Sequence, residues 1–167
     1  MSHKKNDNST PKKQTPQDND LQNAHHFFAI ELNKATWQLI ETPERSPEQN
    51  NEMINAAHGS LYHWQKPGTP LHLQRGYWLL ARVYVVLKMP TQAQHYALLC
   101  HQYTLNFPTL MHPFDIGYAY EIMYRLHVLL GNTSEANTYY KNAIAQTSKI
   151  DNEKDRQIYE VDLKAVL

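Results

Sequence analysis

Apolar positions recur along this chain at steps of three and four residues, the spacing of one helix face. Phe28, Leu32, Ala35 and Leu39 predict a first amphipathic helix from Leu21 to Thr42, ending before Pro43. Ser46-Pro47-Glu48-Gln49 then reads as a start signal: a serine oxygen for orphan amides, a proline suited to the first turn, and a glutamine that reaches back. The second helix, about 47–65, carries the stripe Met53, Ala57 and Leu61, with Ala56 and Ser60 beside it. Thr69-Pro70 repeats the device and opens a third helix (about 71–88) with Leu80, Val83, Tyr84 and Leu87 on one face. Met89-Pro90 turns the chain into a fourth helix (about 91–105) along Ala93, Tyr96, Ala97 and Cys100. The proline-rich stretch 106–113 is a connection whose Phe107, Leu110 and Met111 are expected to tuck under the next corner. Asp115 is the expected cap of a fifth helix that runs to Leu130 and stops at Gly131 in the left-handed region. Asn132 or Thr133 starts a sixth. Asp151 opens a seventh, whose Ile158, Val161 and Ala165 are its apolar line. Nothing alternates with the period of two that strands require. The pattern predicts an all-α fold.

The pattern also returns. Sliding the chain forward by 43 residues lays Leu87-Lys-Met-Pro-Thr-Gln-Ala93 over Leu130-Gly-Asn-Thr-Ser-Glu-Ala136, with Tyr96 on Tyr139, Cys100 on Ala143 and Arg82 on Arg125. Sliding it back brings Met89-Pro90 onto Ser46-Pro47 and Cys100 onto Ala57. A fixed period of this kind marks a helical repeat array. The small residues Ala57, Ala93, Cys100, Ala136 and Ala143 mark where facing helices should approach closely.

On these residues the chain resembles the tetratricopeptide repeats. Tyr77, Leu80-Ala81, Tyr84, Ala93, Ala97 and Cys100 match one repeat, and Ala136, Tyr140 and Ala143 part of a second; the segment from Lys34 to Gln65 fits by spacing. The period of 43 residues exceeds the family's usual ~34, which implies longer connections. The resemblance implies a right-handed array of three helical hairpins closed by a C-terminal capping helix. It also implies a groove along the first helix of each hairpin that takes a peptide or partner helix. Carried over, the groove positions hold Arg75, Trp78 and Arg82 on the third helix and Tyr118, Glu121 and Arg125 on the fifth. The asparagines of the family's carboxylate clamp are absent from these positions. The segment Asn55 to Trp64 also resembles a group of short bacterial proteins, a likeness that implies no activity.

Composition narrows the picture. In 167 residues, 16 basic side chains balance 16 acidic ones, so no strong field for nucleic acid or an anionic membrane follows. One cysteine forms no internal disulfide, and no apolar run approaches the ~20 residues of a membrane span. A soluble cytoplasmic protein is expected. Residues 1–20 are polar, with Lys4, Lys5, Lys12 and Lys13 against Asp7, Asp18 and Asp20, and read as a disordered tail before a helical domain at 21–167.

Candidate chemistry is sparse. Ten histidines invite a metal, but ligands that share a helix face stand three or four apart. His58 and His63 are five apart, about 140° around the helix, His95 and His101 are six apart, and His25 and His26 are adjacent. No metal or cofactor is implied. No glycine-rich phosphate loop, paired-carboxylate motif or serine-histidine-aspartate motif is present, and Cys100 falls where a buried small residue belongs. Two readings remain. The leading one is a non-enzymatic interaction module, an adaptor or regulator, whose arginines and aromatics suit a protein or peptide partner, an acidic one in particular. In that reading Arg75, Trp78 and Arg82 form an exposed stripe, or else they pack internally with ion pairs such as Arg82 with Glu121. The alternative is an enzyme or a metal- or small-molecule-binding protein with its site around His58, Tyr62, His63, Trp64 and His72.

Overall fold

Proline stands at the first position of five successive helices in the computed structural model, which describes residues 16–165. They are α1 (Pro16–Glu41), α2 (Pro47–Trp64), α3 (Pro70–Val86), α4 (Pro90–Asn106) and α5 (Pro113–Leu129), followed by α6 (Thr133–Thr147) and α7 (Glu153–Lys164). A 3-10 turn, Pro108–Leu110, links α4 to α5. Among the described residues there is no strand, and no helix is long and apolar enough to cross a membrane. The fold is all-α.

Helix starts follow the local chemistry. Ser46 Oγ accepts from the Gln49 amide at 3.3 Å while the Gln49 side chain accepts from the Ser46 amide at 2.9 Å, a complete capping box. At α3 the reciprocal role falls to His72, whose Nδ1 accepts from the Thr69 amide at 3.1 Å. At α5 the cap position is His112; Asp115 sits three residues on and its Oδ2 accepts from the His112 amide at 3.2 Å, so the expected capping residue is one turn inside the helix. Asn152 caps α7 through its side chain, one residue after Asp151.

Helices pack as α1 on α2, α3 on α4 and α5 on α6, and neighbouring hairpins meet through α2 with α3 and α4 with α5. α3 also touches α5, and α5 touches α7. The 43-residue recurrence is visible atom by atom at two corners. Leu87, Lys88 and Met89 amides donate to Val83, Val85 and Tyr84 carbonyls; Leu130, Gly131 and Asn132 amides donate to Leu126, Val128 and His127 carbonyls. Lys88 and Gly131 hold the same place in the two corners, at φ 55° and 73°. All five small positions, Ala57, Ala93, Cys100, Ala136 and Ala143, are buried, as close helix approach demands.

Four expectations are corrected. α1 begins at Pro16, so residues 16–20 of the expected tail are helical; the rest of that tail lies outside the described residues. The residues of α1 that are fully buried are Ala29 and Thr36, while Phe28 is exposed, because Ala29 lies against α2, where Ser60 Oγ donates to its carbonyl. On α7, Ile158 and Val161 are exposed and Tyr159 and Leu163 are buried. The cause is Gly117: a Cβ there would stand 2.9 Å from the Tyr159 ring, and the absence of one lets that ring reach the Gly117 and Ala143 carbonyls. In the connection before α5 only Met111 is buried; Phe107 and Leu110 are exposed.

Candidate functional site

All three tryptophans of the chain, widely spaced at 37, 64 and 78, line one groove of about 710 Å³. Its walls come from α1, α3, α5 and α7, with Trp64 at the end of α2. Trp37 of α1 lies 5.6 Å from Trp78 of α3, ring centre to ring centre. Trp64 stacks on His72 at 4.3 Å, and Phe114 meets Tyr118 edge-on at 4.8 Å.

The deeper rings are held by hydrogen bonds that consume their polar ends. Trp78 Nε1 donates to Glu121 Oε2 at 3.0 Å, and Tyr118 donates its hydroxyl to Asp162 Oδ2 at 2.6 Å. Burial, then the Asp162 carboxylate, pushes the Tyr118 hydroxyl well above its ordinary range, so it stays a donor. Arg125 Nε bonds the other Glu121 oxygen, and its Nη2 donates to the Asp162 carbonyl at 2.6 Å. Glu121, with no exposed surface, therefore accepts from two helices, and Arg125 joins α5 to α7.

At the rim, Arg75 Nε donates to Asp115 Oδ1 at 2.7 Å. The Asp115 side chain is 2% exposed and that of Arg75 53%, so the guanidinium's outer edge faces solvent. Gln74, buried, donates to the Asp115 carbonyl and to Thr104 Oγ1, which fixes the start of α5 against α3. Lys34, paired with Glu31, adds a second cation to the lining, and Glu41 and Asp162 add carboxylates.

The structure thus sorts the residues singled out from the sequence. Of the expected groove positions, Arg75, Trp78 and Tyr118 line the cavity, but only Arg75 is exposed. Trp78, Tyr118, Glu121 and Arg125 are buried because α1 and α7 close over them and because Glu121 and Asp162 satisfy their donors. The exposed stripe Arg75, Trp78, Arg82 is therefore corrected. Arg82 is half-buried, and burial followed by the nearby Arg125 charge lowers its pKa; Glu121 pairs with Arg125, not with it.

The histidine-centred set separates into three places. His58 Nε2 lies 2.9 Å from the Tyr84 hydroxyl, and its ring packs against Tyr84 and Tyr96, away from the groove. Tyr62 and His63 face α1, where His63 meets His25. Trp64 and His72 line the groove with Arg75 and Trp78, so the two sites read separately from the sequence share one wall. Among the described residues no three His, Cys, Asp or Glu side chains gather as a metal site. Cys100 is fully buried, and burial raises its thiol pKa well above the ordinary value, away from reactive thiolate.

Sequence reading missed Trp37, Phe114 and Asp162. The one available signal was tryptophan's scarcity: with three in 167 residues, an indole at Trp37 has somewhere specific to go. Comparison of the chain with protein-family models, with curated proteins and with solved structures finds no match.

Proposed function

We propose that this chain is a non-enzymatic interaction module that grips a short segment of a partner protein in the tryptophan-lined groove. The observation that carries the reading is the convergence of all three tryptophans on one cavity of about 710 Å³, a volume in the range of ligand pockets. Partly exposed indoles at Trp37 and Trp64 offer rigid apolar area at small entropic cost, which suits an aromatic or aliphatic anchor. The outer edge of Arg75 suits a carboxylate beside that anchor, since Asp115 engages its Nε. A tetratricopeptide-like succession of hairpins underlies the reading, and the recurrence of the Lys88 and Gly131 corners and the lining of the groove by α1, α3 and α5 support it. Trp64 and His72, the core of the alternative site, serve the same groove.

The test is selection from a displayed library of random dodecapeptides against the full chain. Selected peptides should share a large apolar residue close to an acid. Trp37→Ala and Trp64→Ala should each weaken them by about 1–3 kcal/mol, the effect typical of an interface anchor. Equal affinity for a folded Trp37→Ala/Trp64→Ala double variant overturns the reading.

A further inference from the structure

We infer that His25 and His63 together form a surface site for a divalent first-row transition-metal ion, bridging α1 and α2. No sequence spacing shows it, because the two residues are 38 apart and neither has a histidine three or four residues away on its own helix. The fold brings their Nδ1 atoms to 2.9 Å, with ring centres 4.9 Å apart and planes tilted by 51°.

Two imidazoles that both carry their proton on Nε2 point lone pairs at each other across that gap. A neutral pair closes the gap with a hydrogen bond, one ring keeping its proton on Nδ1 and donating it to the other; an ion takes the place of that proton when both rings hold theirs on Nε2. Metal–imidazole bonds of about 2.0–2.1 Å that meet at a right angle put two nitrogens about 2.9 Å apart; at the tetrahedral angle the separation is about 3.3–3.4 Å. The 2.9 Å of the hydrogen-bonded pair equals that right-angle separation, the arrangement of adjacent positions around a square-planar or octahedral ion such as copper(II) or nickel(II). Two protein donors leave the remaining positions to water.

The surroundings support ligation. His25 and His63 are both half-buried, so the pair sits at the surface between α1 and α2. Phe28 lies 5.4 Å from the His63 ring and Tyr62 5.5 Å, so two aromatic rings flank the His63 side of the pair. Phe28 and Tyr62 are themselves exposed, which leaves the site open to an ion from solvent.

The test is titration of the full chain with nickel(II), read by calorimetry and by melting temperature. One equivalent should bind and raise the melting temperature, because the ion joins two helices of the folded state. His63→Gln and His25→Gln, on different helices, should each lower the affinity at least tenfold and abolish the thermal shift. His95→Gln, on exposed α4 surface, should change neither. The proposal fails if the wild-type chain takes up no nickel at millimolar concentration. It fails equally if folded His25→Gln and His63→Gln proteins keep the wild-type affinity and shift.

Discussion

The second hairpin, α3 with α4, and the third, α5 with α6, follow the same backbone plan 43 residues apart and spend their inner faces differently. Arg82 and Arg125 are equivalent positions, and one turn before each stands Trp78 or Glu121. In α5 the arginine reaches back to its own helix and pairs with Glu121; in α3 the same place holds an indole that gives its N–H to that same Glu121. One buried carboxylate thus serves both repeats, and Arg82 is left without a carboxylate of its own on α3. The outer faces diverge in the same way. His58 has the Tyr84 hydroxyl at 2.9 Å, whereas its equivalent His101 meets Tyr120 and Tyr139, and His127 replaces the tyrosine. His101 Nδ1 is buried with no hydrogen-bond partner among the described residues. A repeat therefore conserves backbone corners and small contacts while buried polar groups are satisfied once for the whole molecule.

The largest effect should come from the shared carboxylate. Glu121→Ala leaves the Arg125 charge buried with only the Asp162 carbonyl and no carboxylate, and the Trp78 N–H without an acceptor, and should cost roughly 3–5 kcal/mol in urea unfolding. Trp78→Phe removes one hydrogen bond to the same group and should cost about 1.5–3 kcal/mol. A Glu121→Ala loss no larger than the Trp78→Phe loss would show that Arg125 is satisfied from outside the pair.

Next come the equivalent small contacts. Ala93→Leu and Ala136→Leu should each destabilise by about 1–3 kcal/mol through overpacking, with Ala93 the more sensitive because it has no exposed surface and Ala136 retains 6%. Matching losses, measured by chemical denaturation, would mean that the two interfaces are equally tight.

The corners should respond with opposite signs. Lys88→Gly relieves a side chain from the left-handed region and should stabilise by about 1 kcal/mol, while Gly131→Ala imposes one and should destabilise by about the same amount. Thermal melts of both variants decide it, and shifts of the same sign would break the equivalence.

The smallest effect is acid sensitivity. Burial lowers the pKa of His58 and of His101 below the ordinary 6.5, so the unfolded chain takes up protons first as the pH falls. Their contribution is intact above about pH 6.5 and is lost as pH drops from there towards the folded values. Urea midpoints between pH 7.5 and 5 should decline less in His58→Gln and in His101→Gln than in the wild-type chain. Parallel profiles would assign the decline to other groups.

Much of this molecule was legible along the chain. Ser46, Pro47, Pro70, Pro90 and Gly131 act within a turn of their own position, through caps, a fixed φ and the left-handed stop, so helix ends follow from neighbours in sequence. The buried faces of α2, α3 and α4 and the five small contacts follow from periodicity, which is also local. The groove was only half legible: Arg75, Trp78 and Tyr118 came from the repeat register, but their depth did not.

What only the tertiary structure decided are the contacts whose partners lie many residues away. Tyr159 beats Ile158 and Val161 for the buried face of α7 because Gly117, on another helix, opens a place for its ring. Arg125 can be buried because Asp162 of α7 supplies a carbonyl and Glu121 a carboxylate; Arg82 has the same sequence credentials and remains half-exposed. Trp37 meets Trp78, and His25 meets His63, only after hairpins have stacked. Helical phase states which residues share a face of one helix; which faces meet, and which charge gains the single buried partner, is fixed by packing between helices.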